Sequence, residues 1–171
     1  TKVRLSPEIN AGMLQRVIAL IAKAAGFQGM IGGQTVDIIM EGTEIDTELL
    51  NYIHTHKTGA LISASVSCGA ILGGGSEAQV KKLTSYGDKI GLAFQIADDI
   101  LDIEGDSQVM GKKVGADEQR GKNTYPSIYG MDRSKEMLSN IINQAMESLE
   151  QFGNSAAPLR SIAEYIVERK K

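Results

Sequence analysis

The chain has a single cysteine, Cys68, and so cannot close an intrachain disulfide. No covalent staple holds this fold, which fits a reducing cytoplasm. Set among small apolar residues, Cys68 is read as core packing, since a free cysteine behaves as a small buried hydrophobe. Tryptophan is absent and only three prolines interrupt the 171 residues, so long periodic segments run unbroken. No stretch reaches the ~18 to 20 consecutive apolar residues of a membrane span. The opening "TKVRLSPEIN" has no apolar core of a secretory signal. An excess of positive charge is missing too: 18 Lys and Arg stand against 21 Asp and Glu, and the net charge of -3 does not argue for nucleic acid or an anionic membrane, which want basic patches. What remains is 42% hydrophobic and 23% charged residues, enough for one soluble domain with an ordinary core.

The apolar spacing is helical almost throughout, with no convincing strand pair. Ser6-Pro7-Glu8 has the hydroxyl and proline of a helix start, and Gly26 is its stop. A shorter helix is expected from Phe27 to about Met40, although each internal glycine costs roughly 1 kcal/mol against alanine. Gly29, Gly32 and Gly33 therefore call for close approach of another backbone. Asp46 caps a long helix from Thr47 to about Leu72, ended by Gly73-Gly74-Gly75. Ser76 and Gln79 form a capping box for the next, from Glu77 to about Glu104. Residues 105–124 are polar and glycine-rich, a loop long enough to suggest function. Asp132 is the expected cap of a helix to Phe152, with Gly153 as its stop, and Pro158 lies near the start of the last one. The reading is all-α, one domain, about six helices.

The chemistry lies in "FQIADDILDIEGD", residues 94 to 106. Gln95, Asp98, Asp99 and Asp102 stand at i, i+3, i+4 and i+7, a spacing that makes one stripe on a helix. Ile90, Leu92, Ala93, Ile96, Ile100, Leu101 and Ile103 surround the stripe, and a helix apolar around most of its circumference is buried. The stripe is therefore expected to face an internal cavity. Unpaired buried carboxylates are costly, so a positive partner must offset them. Oxygen ligands suit Mg²⁺, which is usually held by one or two carboxylates together with waters and phosphates. Lys57 and Thr58 interrupt another apolar helix, and Gln34 and Asp37 stand at i,i+3 on the glycine-rich one. Lys112, Lys113 and Lys122 place cations in the long loop, where they could meet an anionic ligand. His54 and His56 lack metal-ligand spacing and are read as surface or packing residues.

The segments "GMIGGQTVDI", "HKTGALI", "GLAFQIADDILDIEGD", "GKKVGAD" and "GKNTYP" occur in an order and spacing that resembles the trans-isoprenyl diphosphate synthases, above all bacterial short-chain members. The resemblance covers essentially the whole chain. It implies an all-α isoprenoid-synthase bundle around a central cavity, in which an allylic diphosphate (dimethylallyl or geranyl) condenses with isopentenyl diphosphate. Farnesyl diphosphate and pyrophosphate would be the products. By the same resemblance Asp98, Asp99 and Asp102 hold Mg²⁺ on the allylic diphosphate, and Lys57, Thr58 and Gln95 contact that group. Lys112 and Lys122 neutralise it, with Asp117 between them. Gln34, Asp37 and Phe94 line the cavity beside the reacting carbons. A homodimer is implied as well.

The resemblance has one gap. Members of the family carry a first aspartate-rich motif followed by arginines, and a segment binding isopentenyl diphosphate, and neither pattern occurs here. Residues 1–171 are thus expected to be the C-terminal half of a single synthase domain, inactive alone. The inner faces of the helices over 47–72 and 77–104 should then expose Leu61, Ile62, Phe94 and Ile96, unless another chain covers them. A geranylgeranyl or longer-chain synthase is the alternative of the same kind, and a non-catalytic helical regulatory subunit the alternative of another. A regulatory subunit tends to lose the acids or loop lysines that this chain keeps.

Overall fold

The computed structural model describes residues 9–105 and 122–169, and every regular element among them is helical. Helix α1 spans Ala11–Ala25, and its cap is Asn10, whose side chain accepts the Met13 N–H at 3.0 Å. The start expected at Ser6 is therefore corrected, because Ile9 and Asn10 are non-helical and Asn10 supplies the capping oxygen. Helix α2 spans Met30–Ile39, beginning after Gly29 rather than at Phe27.

The long rod expected from Thr47 is present as three consecutive pieces: α3 (Thr47–His54), a π-helical turn (Thr55–Gly59) and α4 (Ala60–Leu72). Asp46 caps it, accepting the Leu49 N–H at 2.8 Å. The π turn is wedged between α2 and α5, and glycine permits both approaches. A Cβ on Gly33 would stand 2.3 Å from the Lys57 backbone nitrogen, and one on Gly91 would stand 2.6 Å from the Gly59 Cα. Both distances are well inside van der Waals contact. The close backbone approach expected of the glycine-rich helix is thus found at Gly33.

Helix α5, Glu77–Glu104, opens with the expected capping box: Ser76 and Gln79 each bond the other's backbone N–H. A short helix α6, Tyr125–Tyr129, follows the cap residue Thr124 and was not foreseen. Helix α7 is Met131–Glu147. Its N-cap is Gly130, at φ 79°, so Asp132 lies in the first turn and is not the cap. Its end is also earlier than Phe152, because the chain tightens into a 3₁₀ segment over Glu150–Ala156 that contains Gly153 at φ 52°. Pro158 then sits in the first turn of α8, Ala157–Glu168.

Helix α5 is the axis of the fold, packed between α4 on one side and α7 on the other. Ile90, Ala93, Ile96 and Ala97 of α5 join Leu138, Ile142 and Ala145 of α7 in the main core, and Tyr86 donates its hydroxyl to the Leu159 carbonyl at 2.6 Å. A smaller cluster joins Val17 of α1 to Cys68 and Ile71 of α4 and Val80 of α5. Ile96 is completely buried, which corrects the expectation that it would be exposed, while Leu61, Ile62 and Phe94 are half-buried. Most of the apolar exposure is elsewhere: Ile18 and Ile21 of α1, Phe27, and Ile31, Ile38 and Ile39 of α2 stand in the open, with a smaller set, Ile103 of α5 and Ile162, Tyr165 and Val167 of α8. No helix among the described residues is long and apolar enough to cross a membrane.

Candidate functional site

A cavity of about 250 Å³ lies where α2, the π turn and α5 meet the segment that leads into α6. Asp37, Lys57, Thr58, Gln95, Asp98 and Lys122 all line it. Four separate elements thus bring their polar residues to one place. The π turn aims Lys57 and Thr58 inward, and such turns occur often at functional sites. Lys57 donates from Nζ to Asp37 Oδ2 at 2.7 Å, and both side chains are largely shielded from solvent. Asp37 therefore fixes the ammonium group where it borders the cavity.

The aspartates part company. Asp98 faces the cavity with its side chain 44% exposed, and its other neighbour is Arg169, whose Nη2 is 3.7 Å from Oδ1. Asp99 is buried, and its Oδ2 accepts from His54 Nε2 and from the Tyr125 N–H, each at 2.9 Å. Asp102 is buried too and lines an adjoining cavity of about 640 Å³, which shares Asp99, Lys122, Asn123 and Thr124 with the first. Among the described residues no three carboxylate, imidazole or thiolate groups stand close enough to hold one ion. Gln95, Asp98 and Asp99 share the first cavity, as a stripe at that spacing would, while Asp102, one turn further along α5, lines the adjoining one.

Other expected residues also have definite places. Gln34 is half-buried on α2 and is not part of the cavity lining. Phe94 is turned away from the cavity: the Arg169 guanidinium lies 4.2 Å above its ring and donates to its carbonyl at 3.0 Å. Lys112, Lys113 and Asp117 fall outside the described residues. Of the surface and packing roles expected for His54, burial agrees with packing, but the residue also borders the cavity. The signal was available in its position one helical turn before Lys57 and Thr58, a spacing that shares a face. Tyr125 is fully buried beneath it, and burial, reinforced by Tyr129 and Asp99, pushes the phenol well above its usual range. Its hydroxyl donates to Asn51 of α3.

Residues 6–157 match the family model described as polyprenyl synthetase. The chain belongs to that family. It is 40% identical over 169 residues to the farnesyl diphosphate synthase of Escherichia coli, covering 96% of this chain and 56% of the relative. With the geranylgeranyl diphosphate synthase of Cyanophora paradoxa the identity is 41%, over 94% of this chain and 54% of the relative. Among solved structures, the geranyltransferase of Helicobacter pylori complexed with magnesium and isoprenyl diphosphate superposes with a TM-score of 0.77 at 28% identity, covering 94% of this chain and 53% of that one. The all-α architecture is thus that of the polyprenyl synthetases, and the chain spans about half the length of the curated relatives it matches.

Proposed function

We propose that residues 1–171 form the C-terminal half of one synthase domain that elongates prenyl chains, and that the cavity beside Asp98 holds the diphosphate of an allylic substrate. The single observation that carries this reading is the meeting of Lys57, Thr58, Gln95, Asp98 and Lys122 around one small polar cavity. Two ammonium groups suit a diphosphate, and the Thr58 hydroxyl and Gln95 amide can donate to its oxygens. The donor set fits Mg²⁺: Asp98 offers a half-exposed carboxylate, and the remaining positions go to water and phosphate oxygens, the usual way this ion is held. When bound, the ion would stabilise charge on the departing diphosphate.

Asp98 would hold the ion, while Lys57, kept in place by Asp37, would meet the developing negative charge. Such pre-oriented charges act most strongly where water is excluded. An allylic cation formed there would need protection from quenching by water, which in this reading the complete synthase supplies. The carbon nucleophile proposed is isopentenyl diphosphate. The product proposed is farnesyl diphosphate, with geranylgeranyl diphosphate as the second reading, favoured by the similar identity to the Cyanophora enzyme. Lys112 is proposed to close on the same diphosphate. A homodimer is proposed with this activity, and the exposed apolar flank of α1 and α2 supports it.

The test is Asp98→Ala in the complete synthase, which should lower turnover by about 10²-fold or more, the scale of losing one transition-state charge stabiliser. Turnover equal to that of the unaltered enzyme at saturating Mg²⁺ would remove Asp98 from the reaction.

A further inference from the structure

His54 belongs to a buried cluster that the proposed reaction does not use. It is the last residue of α3, and its side chain is 8% exposed. Its Nε2 lies 2.9 Å from Asp99 Oδ2, the oxygen that also accepts the Tyr125 N–H. An ionised carboxylate only accepts, so the imidazole must present its proton on Nε2. The Nδ1 atom fits that tautomer, being buried with no hydrogen-bond partner among the described residues. The Tyr125 ring packs against the imidazole at 5.3 Å and its hydroxyl returns to Asn51, one turn before His54. Asp99 therefore ties three elements together: the end of α3, the C-terminal part of α5 and the start of α6.

Both cations of the cavity sit beside these ties. Lys57 follows His54 by three residues, and Lys122 precedes Tyr125 by three. On the Lys122 side the chain is held again where Asn123 Nδ2 donates to the Thr43 carbonyl at 2.7 Å. We propose that His54 is a positioning residue: by donating to Asp99 it holds the π turn bearing Lys57 and the segment bearing Lys122 at the spacing a diphosphate needs. Asp99, at the edge of the same cavity, is then the anchor of this arrangement, while the half-exposed Asp98 is left open to a ligand. The inference rests on reading the cavity as a diphosphate site.

The experiment uses the 171-residue chain, with inorganic pyrophosphate and Mg²⁺ as the probe in titration calorimetry. His54→Gln keeps an amide donor near the Nε2 position, and His54→Leu removes it. His54→Leu should weaken pyrophosphate by about ten-fold or more, as loss of an outer partner does at metal sites, and His54→Gln should restore it to within about three-fold. In parallel, amide exchange at Tyr125 should quicken about ten-fold in His54→Leu and recover in His54→Gln, with Leu138 in α7 unchanged in both. Unweakened binding in His54→Leu, or equal weakening in both variants, overturns the proposal. An Nδ1–H tautomer of His54 in the nitrogen spectrum of the unaltered chain also overturns it. If the unaltered chain does not bind pyrophosphate, the diphosphate reading fails for this chain, and unchanged Tyr125 exchange in His54→Leu would overturn the positioning role separately. Should circular dichroism show His54→Leu unfolded, His54→Asn, whose amide is too short to replace Nε2, takes its place with the same expected outcomes.

Discussion

The two flanks of α4 treat the same residue type in opposite ways. On the α5–α7 side the inward isoleucines are closed off from solvent: Ile90 and Ile142 are buried and Ile96 is completely so, with Ile103 at the end of α5 the exposed exception. On the α1–α2 side, Ile18, Ile31, Ile38 and Ile39 are each more than half exposed. Each isoleucine fully buried contributes roughly 1.5–3 kcal/mol, so the stability of the chain is concentrated on the first flank. The second flank carries apolar area that its own fold does not use. Hydrophobic spacing predicts which face of a helix is apolar, but not whether a partner helix covers it.

The sharpest way to break this comparison is Ile96→Ala. It should cost about 2–5 kcal/mol in denaturant unfolding, the range for emptying a closed core site. A loss below about 0.5 kcal/mol, the scale of ordinary surface changes, would make the α5 flank as loose as the other. Gly91→Ala should come next, at about 1–3 kcal/mol, because its methyl would meet the Gly59 backbone, which has no flexible side chain to move aside. The same change at Gly69, where an added Cβ meets nothing within 4 Å, is the control.

Tyr86 gives a milder, pH-dependent contribution. Burial pushes its phenol up to about 12, whereas a tyrosine in the unfolded chain ionises near 10. The folded chain therefore keeps a proton that the unfolded chain releases, so the stabilisation is intact below about pH 10 and fades as pH rises toward 12. Unfolding curves at pH 9, 10.5 and 11.5 should show that decline, and Tyr86→Phe should lessen it, leaving the part that Tyr125 contributes in the same direction. The smallest effect belongs to the open flank. Ile38→Ser should change stability by no more than about 0.5 kcal/mol in dilute solution. A larger loss that grows with protein concentration would show a second copy covering α2, and sedimentation would resolve it.

Much of the fold was legible because its signals are local. The Asp46 cap, the Ser76–Gln79 capping box and the limits of α5 each depend on residues within one or two turns. Where local cues compete, the expectation slipped: Asn10 displaced Ser6 as a cap, and Gly130 displaced Asp132 because its positive φ turns the chain directly into α7. The site was legible in part. Asp37, Lys57, Thr58, Gln95, Asp98 and Lys122 do converge on one cavity. Phe94 and Gln34 do not line it, since the side a residue presents depends on what packs against its helix.

By itself, the sequence determined an all-α chain, the family to which it belongs, and the polar residues set into apolar helices where chemistry could occur. These follow from helical periodicity, capping preferences and the cost of burying charge, all of which act over a few residues. Only the tertiary structure decided that Asp98 stays half-exposed at the cavity while Asp99, at its edge, is buried and bonded to His54 and Tyr125. That choice depends on contacts across 45 and 26 residues of sequence. It also depends on a π turn that exists because Gly33 and Gly91 let two backbones close on it. Packing between distant segments sets the rotation of each helix about its axis, and that rotation decides which carboxylate stays open to a cavity and which is tied to its neighbours.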